Sequence, residues 1–245
     1  MERTVALITG GTRGLGLGIA RALAARGLAV GLVYRSDDAA AQAAVSGLRA
    51  EGHAAVAVRA DIGQAEAVAR ALDEVRDTLG PPVVLVNNAF RGGRTPQKTH
   101  EVPPAEFAED ISTNLVSAFL VTRACLPDMV AAGFGRVIFI GSLAARGEAG
   151  RVAYATAKAA LTGLSATVAQ EYARAGVTSN VINPGFIAAG AFERLPEQIQ
   201  SRALATVPMR RAGEAAEVAA LVAFLASQEA GYLTGQVIGL DGGAR

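Results

Sequence analysis

Residues Thr4 to Gly16 read TVALITGGTRGLG, an apolar run that passes straight into a glycine-rich turn; a helical pattern then carries on to Arg26, and Gly27 closes it. A short, continuous apolar run is what a strand buried on both faces of a parallel sheet requires. The turn, Gly10, Gly11, Thr12, Arg13, Gly14, Leu15 and Gly16, stands where a helix N-terminus offers unpaired backbone N–H groups, and glycine lets a phosphate approach them. Strand, glycine turn and helix together read as a dinucleotide phosphate site. A merely flexible turn is the plainer alternative.

The alternation continues outward from that stretch. Apolar runs at 28–34, 54–59, 83–86, 136–140 and 177–182 predict strands, separated by helical patterns at 39–51, 64–79, 104–130 and 152–175. A helix at 214–227 and a seventh, edge strand within GYLTGQVIGLDGG complete the set. Strands alternating with helices imply an α/β, doubly wound parallel sheet with helices on both faces. No linker or repeat divides residues 1–245, so one domain is expected. The stretch 188–211 is irregular and holds Phe192, Leu195, Ile199, Leu204 and Met209 to cover a substrate, which reads as a lid.

Composition narrows the function. The 245 residues are 51% hydrophobic and 5% aromatic with a net charge of +1, and lack a basic block, which argues against nucleic acid and anionic membrane as partners. No charged leader opens the chain and no uninterrupted apolar run is long enough for a bilayer. The lone Cys125, in AFLVTRACL, reads as a core residue, and His53 and His100 are too isolated for a metal site. A soluble protein of a reducing, cytoplasmic compartment is expected.

Ligand-bearing positions fall after the strands. The second run ends in Tyr34, Arg35 and Ser36; an arginine here accommodates the 2'-phosphate of NADP, whereas an acid would bind the ribose hydroxyl of NAD. Arg35, with Arg13, argues for NADP(H), and Asp37 and Asp38 look placed to start the next helix. Either acid reaching the ribose would reverse that choice. Tyr154 and Lys158 lie four apart on a helix, so they share a face, and an ammonium near a phenol lowers its pKa. Ser142 follows the fifth strand, where open parallel sheets bind ligands, and Asn114 is a polar residue inside an apolar helix. Arg91, Arg94, Lys98 and His100 could steer an anionic tail, though a solvated loop is the reading preferred.

The pattern Thr9-Gly10-x-x-x-Gly14-x-Gly16, the Asn87-Asn88-Ala89 run, Ser142 with Tyr154-x-x-x-Lys158, and Pro184-Gly185 together resemble the short-chain dehydrogenase/reductase family over essentially the whole chain. Tyr34-Arg35-Ser36, Pro184-Gly185-Phe186-Ile187 and Thr234-Gly235-Gln236 look most like its 3-oxoacyl-thioester reductases, acting on carrier-protein or CoA thioesters. The resemblance implies a Rossmann-type fold, a homotetramer and hydride transfer from NADPH to a ketone. It implies Tyr154 as proton donor, Lys158 as its activator and ribose ligand, Ser142 as donor to the carbonyl, and Asn114 as anchor of a water relay. It further implies Asp61 and Ile62 at the adenine, Asn88 and Ala89 beside the adenosine, and Pro184, Gly185 and Ile187 at the nicotinamide.

Three departures stand out. Phe90 replaces the glycine usual after Asn-Asn-Ala, predicting an altered substrate pocket. The Ser142 to Tyr154 interval is one residue short, and the threonine common just after the Pro-Gly turn is missing from 188–191. The family's basic carrier-docking positions fall on Gly133 and Ala175, with Arg136 and Arg174 close enough to substitute. Two rivals remain: an NAD-dependent alcohol dehydrogenase, and a non-catalytic dinucleotide-binding protein.

Overall fold

The computed structural model describes residues 4–91, 95–190 and 192–244. Seven strands form one all-parallel sheet: β1 (Val5–Thr9), β2 (Ala29–Tyr34), β3 (Ala55–Arg59), β4 (Pro82–Asn87), β5 (Gly135–Ile140), β6 (Val177–Pro184) and β7 (Val237–Leu240), in the order β3-β2-β1-β4-β5-β6-β7. The expected Rossmann-type architecture is therefore present. Every residue of β1, β4, β5 and β6 is buried, as interior strands covered on both faces must be. Edge strand β7 alternates exposed with half-buried residues.

The helices are α1 (Gly14–Ala25), α2 (Asp38–Ala50), α3 (Ala65–Leu79), α4 (Pro104–Ile111), α5 (Ser117–Ala132), α6 (Val152–Tyr172), α7 (Glu197–Leu204) and α8 (Ala215–Leu225). Strand side chains alternate between two cores, because successive residues point to opposite faces. Ala6, Ile8, Val84, Val86, Ile138 and Ile140 join Ile19 and Leu23 of α1 and Val218 and Val222 of α8. Leu7, Leu85, Val137 and Phe139 join Leu72 of α3, Val121 and Met129 of α5 and Leu161 of α6. Cys125 is buried in this second core.

Several expected boundaries move. The helix read over 104–130 is broken by a π-helical segment, Ser112–Val116, between α4 and α5. The helix over 152–175 ends at Tyr172 and finishes in the tighter 3₁₀ turn Ala173–Ala175. Within the irregular 188–211 stretch α7 forms. Pro104–Ala132 taken together is long and apolar enough to cross a membrane by length and composition alone, a test that a buried core helix also passes. Its α5 portion lies against the sheet through Val121, Cys125 and Met129.

Candidate functional site

Strand order reverses between β1 and β4, and the crevice at such a switch point, outside the carboxyl ends of the strands, is where open α/β sheets bind ligands. The glycine turn occupies that crevice. Gly10 has φ +65°, and a Cβ on Gly16 would overlap the Gly10 carbonyl, so side chains are excluded where the turn doubles back. Thr9 Oγ1 accepts from the backbone N–H of Asn88 and of Ala89, both at 3.0 Å, and Asn88 Nδ2 donates to the carbonyls of Thr9 and Gly10. The end of β4 thus fixes the turn's shape. Arg13, the α1 N-cap, makes no side-chain cap, and the first turn holds no acid, so the N–H groups face outward ready for an anion. Thr12 is buried while Arg13 and Leu15 remain accessible. These features fit a dinucleotide pyrophosphate.

Beyond β2, Asp37 caps α2 by accepting from the Ala40 N–H at 3.0 Å and pairs with Arg13 at 3.6 Å. Asp38 accepts from the Tyr34 hydroxyl at 2.9 Å and meets Arg59 at 3.4 Å. Both acids are therefore engaged at the helix start, as expected, and Arg35 and Ser36 stay exposed. Asp61 does not cap α3. It accepts from the Gly63 N–H at 3.0 Å, and Gln64 is the N-cap, because the intervening turn uses the carboxylate one residue too early to reach the helix.

Ser142, Tyr154 and Lys158 converge where β5 ends against α6. Ser142 follows β5; its N–H donates to Asn183 Oδ1 at 3.1 Å and its Oγ accepts from the Ala144 N–H at 3.1 Å. Its hydroxyl is close enough to the Tyr154 phenol to favour the ionised form. Lys158 is buried, donates to the Ile140 carbonyl at 2.6 Å, and is pushed by burial down to about 8. The phenol departs from expectation: burial raises its pKa above the ordinary value, outweighing Ser142 and then Arg151, which lower it, while Glu148 adds to the rise. Lys158 stands 5.9 Å from the Tyr154 ring centre and its hydrogen bond goes to Ile140, so it does not bring the phenol below 10 here.

Asn114 is buried in the π-helical segment. Its side chain accepts from the Arg91 N–H at 2.9 Å and donates to the carbonyls of Arg91 and Asp110. A cavity of about 10 Å³, enough for roughly one water, is lined by Thr9, Ile62, Asn87, Ala89, Asn114 and Lys158, among others. Asn87 lines that cavity, and its buried Oδ1 has no hydrogen-bond partner among the described residues. Pro184 ends β6, Gly185 lies so close to Asp241 that a Cβ would meet its Cα at 2.8 Å, and Ile187 is buried beside Gly213. Phe192 leans on Phe186 at 5.2 Å, and a cavity of about 340 Å³ opens beside Phe186, Val207, Met209 and Leu240.

Two cations read as docking substitutes separate. Arg174 is exposed, but Arg136 is 4% exposed and spent on the carbonyls of Ser227, Gly135 and Gly176, so it cannot meet a carrier protein. Arg91 pairs with Glu109 at 2.6 Å and His100 lies near Glu101, while Arg94 lies outside the described residues. The residue that sequence reasoning missed is Arg151, whose guanidinium carbon lies 4.9 Å over the Tyr154 ring and which pairs with Glu148 at 3.3 Å. Its position three before Tyr154 at the start of one helix was the available signal.

A family model described as Enoyl-(Acyl carrier protein) reductase matches residues 10–245. The 3-oxoacyl-[acyl-carrier-protein] reductase MabA of Mycobacterium avium is 40% identical, covering 97% of this chain and 88% of its own. The acetoacetyl-CoA reductase of Rhizobium meliloti (strain 1021) is 38% identical over 98% of this chain and 97% of its own. The 3-oxoacyl-[acyl-carrier-protein] reductase FabG of Haemophilus influenzae is 35% identical over 99% and 98%. Taken with the sheet and the converging serine, tyrosine and lysine, these matches mean that the chain belongs to the short-chain dehydrogenase/reductase family, oxidoreductases acting on C=O and CH–OH groups with a nicotinamide dinucleotide.

Proposed function

We propose that this protein is an NADPH-dependent reductase of 3-oxoacyl thioesters, carried on an acyl carrier protein or on CoA. The observation that carries this reading is the meeting of Ser142, Tyr154 and Lys158 at the end of β5, beside the glycine turn. The cofactor, when bound, supplies the hydride. Ser142 donates a hydrogen bond to the substrate oxygen, aimed at the charge that develops there. Tyr154 gives its proton to that oxygen, and a phenol raised by burial is fully protonated near neutrality, the state in which reduction needs it. Lys158 holds the nicotinamide ribose, and Asn114, sharing a cavity wall with Lys158, anchors the relay that returns the proton.

Arg13 and Arg35, both exposed beyond β1 and β2, take the 2'-phosphate, since Asp37 and Asp38 are already committed to α2, Arg13, Tyr34 and Arg59. Gly10 to Gly16 hold the pyrophosphate. Asp61, Ile62, Asn88 and Ala89 flank the adenosine, and Pro184, Gly185 and Ile187 flank the nicotinamide. The chain acts as one cytoplasmic unit with 188–211 as its lid. Exposed Tyr232 and Leu233 in the turn before edge strand β7 and Val237 at its start, with Val116 and Phe119 near the start of α5, favour a homotetramer.

The test is NADPH oxidation with 3-oxoacyl thioesters, free ketones and 2-enoyl thioesters. Tyr154→Phe is expected to lower kcat/KM for the oxoacyl thioesters by about 10³-fold; unchanged turnover would remove the assigned acid. Arg35→Ala is expected to weaken NADPH more than NADH, by about tenfold, read from binding titrations. Equal losses for the two cofactors would reverse the cofactor choice.

A further inference from the structure

Phe90 stands at the end of β4, where its ring centre lies 4.7 Å from that of Tyr154 with the planes at 53°. The same ring is 5.4 Å from Lys158 Nζ. It is 42% exposed, so it is an open wall of the site and not part of either core. Its chain neighbour is pinned, since the backbone N–H and carbonyl of Arg91 are both bonded to the Asn114 side chain. A few residues further on, the Gln97 N–H donates to the Gly150 carbonyl at 3.0 Å, and a Cβ on Gly150 would meet Pro96 Cβ at 2.8 Å. Pro96 and Gln97 are thus fastened to the loop that carries Arg151 over the same tyrosine ring.

A substrate carbonyl must place its oxygen at the Tyr154 hydroxyl, so the carbons flanking that carbonyl lie within a few ångströms of the phenol. A ring leaning on the phenol at this distance occupies the room that a substituent on those carbons would need. A tilted ring contact of this spacing also restrains the tyrosine and keeps water from its face. We propose that Phe90 is a specificity-determining and positioning residue, which fixes the Tyr154 ring and restricts the site to ketones unbranched beside the carbonyl. This rests on the carbonyl-reducing reading of the site. The groups facing the phenol are Ser142 from the end of β5, Glu148 and Arg151 from the loop before α6, and Lys158 one turn further along α6.

The experiment uses the full chain and the variants Phe90→Ala and Phe90→Leu. Steady-state rates are measured on matched pairs of 3-oxoacyl thioesters of N-acetylcysteamine, one unbranched and one carrying a 2-methyl group. Phe90→Ala is expected to raise the branched-to-unbranched ratio of kcat/KM by about tenfold, the scale of one methyl-sized fit, with Phe90→Leu between. Phenol ionisation is followed in parallel by ultraviolet difference titration, with Tyr154→Phe identifying the Tyr154 signal; admitting water in Phe90→Ala is expected to move that signal to lower pH. An unchanged ratio in both variants overturns the specificity role, and an unmoved Tyr154 titration overturns the positioning role. Should the wild-type protein reduce no ketone at all, the carbonyl reading itself falls, and the titration still decides whether Phe90 positions the tyrosine.

Discussion

Lys158 carries a cost that the fold bears for the sake of the site. Its ammonium is enclosed and, among the described residues, donates to the Ile140 carbonyl at 2.6 Å, and burial pushes it from 10.5 down to about 8. Between those two values the unfolded chain binds a proton that the folded chain lacks, so stability rises with pH; below about 8 both states are charged and the folded state bears the whole penalty. That penalty is about 3 kcal/mol, and leaving the Ile140 carbonyl unpaired returns about 1 kcal/mol of it. Lys158→Met is therefore expected to be more stable than wild type by about 2 kcal/mol in urea titrations at pH 7, with the advantage fading toward pH 10, while reductase activity is lost. A variant less stable at pH 7 would contradict the direction assigned to this lysine. In the wild type, the rate of reduction is expected to fall as pH rises through about 8, where the buried lysine loses its charge.

At the level of elements, the break between α4 and α5 is built from side chains and not from propensity. Asn114 takes the Asp110 carbonyl and both backbone groups of Arg91, so the Ser112–Val116 turn widens and the chain after β4 is held against it. Asn114→Ala is expected to cost about 2 kcal/mol in denaturant unfolding and to impair turnover, because the anchor beside Phe90 is released with it. Such a turn could not be read from STNLVSAF alone, since its partner is 23 residues away and is brought there by the sheet. The strands were legible for the opposite reason: TVALIT and RVIFI need only their own apolar continuity to announce burial on both faces. Arg136 marks the limit of that logic. A guanidinium near the start of a strand reads as solvated, yet here it ties the end of α8 to the turn before β6 through the Ser227 and Gly176 carbonyls. Tyr154, Lys158 and Ser142 were recoverable from spacing, and Arg151 could have been, three residues before Tyr154 at the start of its helix, whereas the contact of Phe90 with the tyrosine ring depended on the chain after β4 meeting α6 in space.

Across the whole molecule, the two cores share one sheet, and β5 sends Ile138 and Ile140 into one and Val137 and Phe139 into the other, so a deletion in β5 is felt by both. Phe139→Ala removes a ring with no exposed surface between α5 and α6 and is expected to cost about 4 kcal/mol, with fluorescence and circular dichroism unfolding in one coincident transition. Separate transitions would mean that the layers unfold independently. The hydrogen bonds from Asn88 and Ala89 to Thr9 span 79 and 80 residues, and they set an order of events during synthesis. The glycine turn is translated among the first residues but acquires its shape only once β4 has emerged and docked beside β1, and the lysine and proline-glycine turn that complete the pocket come later still. A chain halted before residue 88 therefore lacks the contacts that shape the glycine turn, and nucleotide binding is expected to appear along a series of lengthening nascent chains only after β4 has emerged, as titration of ribosome-bound chains would check.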